Sequence, residues 1–106
     1  MQKTTTIILN GKRKRLKVPR KDEFCAGEFV NQCNCACVIG HILRQVGYGP
    51  GTPGSCNKYL DSVFGKNRTY LNDYYAVNDA LFYQGKYEEL QKLFLNVCKE
   101  QRDKRQ

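Results

Sequence analysis

The clearest pattern of hydrophobic and polar positions lies near the C-terminal end of the chain, where apolar residues recur at helical spacing. They stand at i, i+3, i+6, i+7, i+10 and i+11, on Tyr87, Leu90, Leu93, Phe94, Val97 and Cys98. Positions with this spacing share one face of an α-helix. The pattern therefore predicts a final amphipathic helix, with Leu90 and Phe94 buried against the core.

Three shorter helices are predicted before it from capping residues and helical spacing. The expected bounds, with capping residues in parentheses, are 35–46 (Asn34, Gly47), 56–64 (Ser55, Gly65) and about 72–82. Between the first two, residues 47–54 hold four glycines and two prolines, which predicts a loop. This loop lacks the Gly-Lys-Ser/Thr ending of a phosphate-binding P-loop.

The N-terminal segment has the pattern of a β-hairpin. Residues 4–9 are β-prone and precede Asn10 and Gly11, the pair that favours a type I′ turn; residues 12–18 follow, and Pro19 ends the second strand. A two-residue turn pairs Leu9 with Lys12, Ile7 with Lys14 and Thr5 with Leu16. One face is then expected to carry Ile7, Leu9, Leu16 and Val18, and the other Arg13, Arg15 and Lys17 beside Thr4, Thr6 and Ile8.

The formal net charge of +8 is concentrated in this segment. Residues 1–21 hold eight basic and no acidic residues. Residues 22–98 hold six basic and eight acidic residues, and residues 99–106 hold four basic and two acidic residues. We therefore expect one α+β domain, in which a basic β-hairpin arm (1–21) packs on a body of three or four short helices (22–98) with a charged tail (99–106). The residues expected to bind a partner are Lys12, Arg13, Lys14, Arg15, Lys17, Arg20 and Lys21.

A two-stranded ribbon with cations on one face is able to bind phosphates or to steer an acidic protein surface toward it. The competing interpretation is an edge kept soluble by charge. Binding is favoured because the segment from Lys12 to Lys21 contains no acidic residue. A solubilising surface more often mixes both signs of charge.

The composition restricts the class of protein and its location. An apolar fraction of 41% with 11% aromatic residues is typical of a folded globular protein. The apolar stretches fall far short of the roughly 20 residues that span a bilayer, so no membrane partner is expected. The N-terminus lacks the apolar block and small-residue cleavage site of a signal peptide, and the expected location is the cytoplasm.

Six cysteines and one histidine are the candidate residues for chemistry. One alternative is a zinc site drawn from Cys25, Cys33 or Cys35, Cys37 and His41. A second alternative is a nucleophilic cysteine, using Cys35 or Cys37, His41, and Asn78 or Asp79. The spacing Cys-x-Cys-x-Cys lacks the usual zinc knuckle, and a cytoplasm is reducing. Reduced, buried cysteines are favoured, with no catalytic residue, metal or cofactor.

Two short motifs carry a resemblance to a known type of domain. Residues 37–43 read Cys-Val-Ile-Gly-His-Ile-Leu, and residues 77–80 read Val-Asn-Asp-Ala. With the final helix they resemble an uncharacterised family of small domains, common in bacteriophages and actinobacteria, that carries Cys-x-x-Gly-x-Leu and then a hydrophobic-Asn-Asp-Ala box. The resemblance covers about residues 24–97 and implies no activity. It implies that two pairs are associated core features, Cys37 with Gly40 and Asn78 with Asp79. On physical grounds the Asn-Asp pair is expected to cap or turn the chain.

These observations favour a small, basic, non-enzymatic binding protein, phage-encoded, that occupies the surface of a host protein or nucleoprotein. Inhibitors of host nucleic-acid machinery or of antiviral defence, such as anti-CRISPR proteins, belong to this class. Two alternatives stay open. One is direct nucleic-acid binding through the hairpin, together with Lys104 and Arg105 of the tail. The other is a cysteine- or zinc-dependent enzyme.

Overall fold

The computed structural model of the protein describes residues 2–27, 35–49 and 55–105. In chain order its elements are strand β1 (Thr4–Leu9), strand β2 (Lys12–Lys17), a 3₁₀ turn (Lys21–Glu23) and helices α1 (Val38–Gln45), α2 (Cys56–Phe64), α3 (Leu71–Tyr83) and α4 (Tyr87–Arg105). The predicted α+β class is confirmed, because an antiparallel hairpin precedes four helices in this part of the chain. None of the described helices is long and apolar enough to cross a membrane.

The hairpin forms in the predicted register. The observed pairs are Thr4–Lys17, Thr5–Leu16, Thr6–Arg15, Ile7–Lys14, Ile8–Arg13 and Leu9–Lys12. Asn10 and Gly11 both have positive φ, 54° and 76°, as a type I′ turn requires. Ile7 and Leu16 lie on the same face of the ribbon and are buried, so this face rests on the core.

One hydrophobic core joins the hairpin to all four helices. Its buried members include Ile7, Leu16, Ile39, Val63, Leu71 and Phe94, which come from six different elements. As predicted, Leu90 and Phe94 are fully buried, whereas Tyr87, on the same periodic stripe, is 38% exposed. Tyr87 is the first residue of α4, and a helical side chain leans toward the N-terminus, so its ring lies beyond the turn that the core covers.

Helix α1 begins later than the predicted residue 35. Ala36 instead forms a parallel β-bridge with Phe24, which holds the chain extended before the helix. Cys37 is the N-cap and has extended backbone angles. Asn34, the N-cap predicted from the sequence, lies outside the described residues. Long-range pairing with the segment after the hairpin therefore determines where α1 starts.

The other helices agree more closely with the prediction. Helix α2 has the predicted bounds, between Ser55 and Gly65. Helix α3 is one residue longer at each end than predicted. Helix α4 continues to Arg105, so the charged tail is helical as far as that residue. Two exposed ion pairs at i, i+4 spacing support this last part of α4, Lys99–Asp103 and Lys104–Glu100.

Candidate macromolecule-binding surface

Side-chain amides from two helices hold the edges of the hairpin. The Oε1 atom of Gln101, on α4, accepts the N–H of Ile8 at 2.8 Å, and its Nε2 donates to the Ile8 carbonyl oxygen at 2.6 Å. Gln45, on α1, makes the same two bonds with Lys17, both at 2.8 Å. Each amide takes the place of a neighbouring strand. The ribbon is therefore fixed on the body, although two strands alone are marginally stable.

Neither glutamine was singled out from the sequence, but Gln101 carries a signal. It stands four residues after Val97 and seven after Phe94, so it continues the apolar stripe of α4. A polar residue at such a position predicts a buried amide whose hydrogen bonds are satisfied. Gln101 is fully buried and also donates to the Val63 carbonyl oxygen at 2.7 Å.

The outer face of the hairpin is turned away from the core. It presents three exposed cations of β2, Arg13, Arg15 and Lys17, which we call the basic row. Alternate residues of a strand are about 6.8 Å apart, so the three side chains form a line along one face. The ion pairs found among residues 2–27, 35–49 and 55–105 involve none of the three.

The structure distributes the other predicted binding residues over two further places. Lys12 and Lys14 lie on the opposite face of the ribbon, where Lys12 is exposed and Lys14 is half-buried. Arg20 and Lys21 follow the hairpin and lie beside α4. The seven residues are close in sequence, but strand alternation and the turn after β2 separate them in space.

Cys37 and His41 lie in the core. The Sγ atom of Cys37 accepts the N–H of Gly40 at 3.3 Å, and burial raises the pKa of the thiol to about 11. The Nε2 atom of His41 is 2.6 Å from the Glu23 carbonyl oxygen, and because a carbonyl only accepts, Nε2 carries the proton. Burial lowers the pKa of His41 to about 4. At neutral pH the pair is therefore a protonated thiol and a neutral imidazole, not the thiolate that a nucleophile requires.

Asn78 and Asp79 tie α1 to the segment that precedes it. The Oδ1 atom of Asn78 accepts the N–H of Val38 at 3.0 Å, and its Nδ2 donates to the Cys25 carbonyl oxygen at 3.1 Å. Asp79 accepts the N–H of Gly27 at 3.2 Å. Asn78 thus caps α1 from α3. The alternative, that the two residues turn their own chain, is wrong because α3 continues through both.

The candidate zinc ligands do not form a recognisable metal site in the part of the chain that the structure describes. No group of three or more His, Cys, Asp or Glu side chains there is arranged to hold a metal ion. Cys33 lies outside the described residues, while Cys25 and Cys35 are half-buried. Metal-free, reduced cysteines stay a prediction, which elemental analysis of the purified protein checks.

The buried His41 predicts a loss of stability in mild acid. Its pKa falls from 6.5, the ordinary value, to about 4 on folding. Between these two values the unfolded chain binds a proton that the folded protein does not, so stability decreases as the pH falls through this window. We expect the free energy of unfolding to drop by about 3 kcal/mol, which urea denaturation at a series of pH values measures.

The control for this prediction is His41→Gln, which keeps an N–H donor for the Glu23 carbonyl oxygen but does not titrate. Other groups titrate equally in both proteins, so their effects cancel in the difference. We expect the stability of the wild-type protein relative to the variant to decline as the pH is lowered. A difference that stays constant from neutral pH to about pH 4 would contradict the assignment of His41 as a neutral core residue.

Comparison with known proteins gives no match: no protein-family model, no curated protein and no solved structure matches the chain. The resemblance to the small domains of phages and actinobacteria therefore stays a prediction. A functional assignment rests on the chain's own residues, and among those the basic row is the feature that points most directly to a partner.

Proposed function

We propose that this protein is a non-enzymatic binding protein whose basic row occupies an acidic surface of a host macromolecule. The observation that carries the proposal is the row itself, three exposed cations on one face of a fixed ribbon. No ion pair among the described residues neutralises them. Charges arranged in this way accelerate association with an oppositely charged partner and align it.

The competing explanation is that positive charge keeps the hairpin from pairing with other chains. The edge of β1 is already covered by α4, through Gln101 and through Arg102, which donates to the Thr6 carbonyl oxygen. Gln45 closes the edge of β2 at Lys17. The remaining edge of β2 is short, and short edges are poor templates for pairing. The basic row exceeds what protection of that edge requires, which favours binding.

The arrangement of the core supports a role without catalysis. Cys37 and His41 are buried. Burial raises the pKa of Cys37 and lowers the pKa of His41, so both side chains are neutral near pH 7. Two depressions on the described surface are lined by other residues, near Lys21 and the first turns of α4. A substrate in either depression would not reach the thiol.

The partner that we favour is a host protein or nucleoprotein, in the cytoplasm of a cell infected by a phage. An inhibitor of host nucleic-acid machinery or of antiviral defence, such as an anti-CRISPR protein, fits this description. Direct nucleic-acid binding is the second candidate. It is supported by the ribbon, because the major groove of B-DNA is about 12 Å wide and admits two β-strands.

Affinity capture from a host lysate, with and without nuclease, tests the proposal. The wild-type protein is expected to retain a protein partner after nuclease treatment. The triple variant Arg13→Gln, Arg15→Gln and Lys17→Gln is expected to lose it. A matched control removes three exposed lysines elsewhere, Lys58→Gln, Lys66→Gln and Lys86→Gln.

The outcomes separate the candidate functions. Retention of the same partner by the triple variant would overturn the proposal. A partner that disappears with nuclease treatment of the wild-type sample, together with binding of the purified protein to free nucleic acid, would instead establish the second candidate, direct nucleic-acid binding. Equal losses in the triple variant and the control would show that only net charge matters, which also contradicts a defined binding face.

A further inference from the structure

A second basic surface lies between the end of the hairpin and the first turns of α4. It is a groove of about 770 Å³, whose charged lining residues are Lys3, Arg20, Lys21, Glu88 and Lys92. Four of these residues are cations and one is an acid. The groove is separate from the basic row, since it contains none of Arg13, Arg15 and Lys17.

The acid of the groove, Glu88, already pairs with one of its cations. Glu88 accepts a hydrogen bond from the Nζ atom of Lys21 at 3.0 Å. This bond lowers the pKa of Glu88, and the charges of Lys92 and Lys3 lower it further. Three amines from three parts of the chain therefore act on one carboxylate. Because the side chains of Lys21 and Glu88 are 55% and 72% exposed, the ion pair is open to exchange with solvent and with other anions.

Hydrogen bonds hold the walls of the groove in place. The Nε2 atom of Gln91 donates to the Pro19 carbonyl oxygen at 3.0 Å, which joins α4 to the segment after β2. The Nε2 atom of Gln2 donates to the Val18 carbonyl oxygen at 2.6 Å. The cations therefore project from a surface that is organised before a partner arrives, which lowers the cost of binding.

We propose that this groove binds a carboxylate-rich segment of an acidic partner protein, and that Glu88 is an internal competitor which the segment displaces from Lys21. The inference rests on the proposed function for the acidic nature of the partner, and it adds a second contact and a class of ligand. Glu88 occupies the position that an aspartate or glutamate of the partner takes in the complex.

The lining of the groove favours a peptide over a nucleic acid. Single strands are bound by cations interleaved with aromatic side chains on which bases stack, and none of the described residues that line the groove is aromatic. Leu95, which is half-buried, instead supplies apolar surface between the cations, and this suits the aliphatic parts of a peptide. The wall also includes two amide side chains, Gln2 and Gln91, whose remaining polar atoms are suited to a peptide backbone.

Fluorescence anisotropy with a labelled oligoglutamate peptide at low salt tests this inference. Glu88→Gln removes the competitor and is expected to tighten binding by about two- to fivefold. Lys3→Gln with Lys92→Gln is expected to weaken it by about fivefold or more. The matched control, Lys58→Gln with Lys66→Gln, changes the net charge equally and is expected to alter binding less than about twofold. Thermal melts confirm that each variant folds.

The outcomes separate this inference from the proposed function. The groove is supported as the peptide-binding site if the Lys3/Lys92 variant binds the peptide more weakly than the variant of the basic row, Arg13→Gln with Arg15→Gln and Lys17→Gln. If peptide binding does not tighten in Glu88→Gln, or if the Lys3/Lys92 variant and its control lose equal affinity for the peptide, the inference about the groove is overturned. Neither result would contradict the proposed function of the basic row. If the protein binds a labelled oligothymidylate more tightly than oligoglutamate, and the Lys3/Lys92 variant loses that binding, the groove binds nucleic acid and the choice of a peptide is overturned.

Discussion

Replacing Gln101 with leucine is expected to destabilise the protein by about 3 to 5 kcal/mol. Leucine has a similar size, but it removes the fully buried amide that three backbone groups use as their partner: the N–H and the carbonyl oxygen of Ile8, a half-buried residue, and the carbonyl oxygen of Val63, a buried one. Each buried group left unsatisfied costs about 1 to 3 kcal/mol. Because the amide also holds β1 against α4, the variant should lose protection from hydrogen exchange along β1 as well.

Gln45 provides the control for this prediction. It makes the same pair of bonds to the backbone of Lys17, but at an exposed edge where water is able to replace the lost amide. Gln45→Leu is therefore expected to cost less than about 1 kcal/mol. Denaturant unfolding of both variants measures the difference. Similar small losses for both would mean that the Gln101 amide does not hold the hairpin on the body.

Replacing Phe94 with alanine is expected to cost about 3 to 5 kcal/mol, because it removes an aromatic ring from the centre of the core. Phe94 is fully buried on α4, the helix that contacts β1 and α1 to α3. The neighbouring elements are joined to one another through this helix, so they are not free to collapse into the space left by the ring.

Leu95→Ala is the matched control for Phe94, since Leu95 is the next residue of α4 and is half-buried. Its expected cost is below about 1.5 kcal/mol. Urea denaturation of the two variants, with m-values compared to the wild type, gives both numbers. A loss of less than about 1 kcal/mol for Phe94→Ala would show that the apolar stripe of α4 is assigned to the wrong face.

The sequence predicts well where local signals and periodicity act alone. Asn10 and Gly11 determine the turn, and the turn determines the register, so every predicted cross-strand pair is confirmed. The predicted end of α2 is confirmed at Gly65, which has a positive φ of 80°, and the helix starts after Ser55 as predicted, although the Ser55 side chain makes no capping hydrogen bond. The apolar stripe of α4 identifies Leu90 and Phe94 as core residues because helical spacing alone defines the buried face.

Prediction is less accurate where distant parts of the chain meet. The start of α1 depends on the bridge between Ala36 and Phe24, which no local propensity encodes. Asn78 caps a helix that lies forty positions earlier in the chain, so its spacing within its own helix does not reveal that role. The count of charges along the sequence groups Arg20 and Lys21 with the basic row. In the folded protein these two residues instead line the groove beside Glu88.

The dissociation constant of the captured partner, measured for the wild-type protein, the basic-row variant and the matched lysine control, tests the central claim most directly. We expect the basic-row variant, Arg13→Gln with Arg15→Gln and Lys17→Gln, to bind at least about tenfold more weakly, mainly through slower association. Its melting temperature should be nearly unchanged, since exposed charges contribute little to folding. If the partner is nucleic acid, the slope of log K against log salt should flatten by about 2 to 3. Unchanged affinity in the basic-row variant, or an equal loss in the control, would contradict the account.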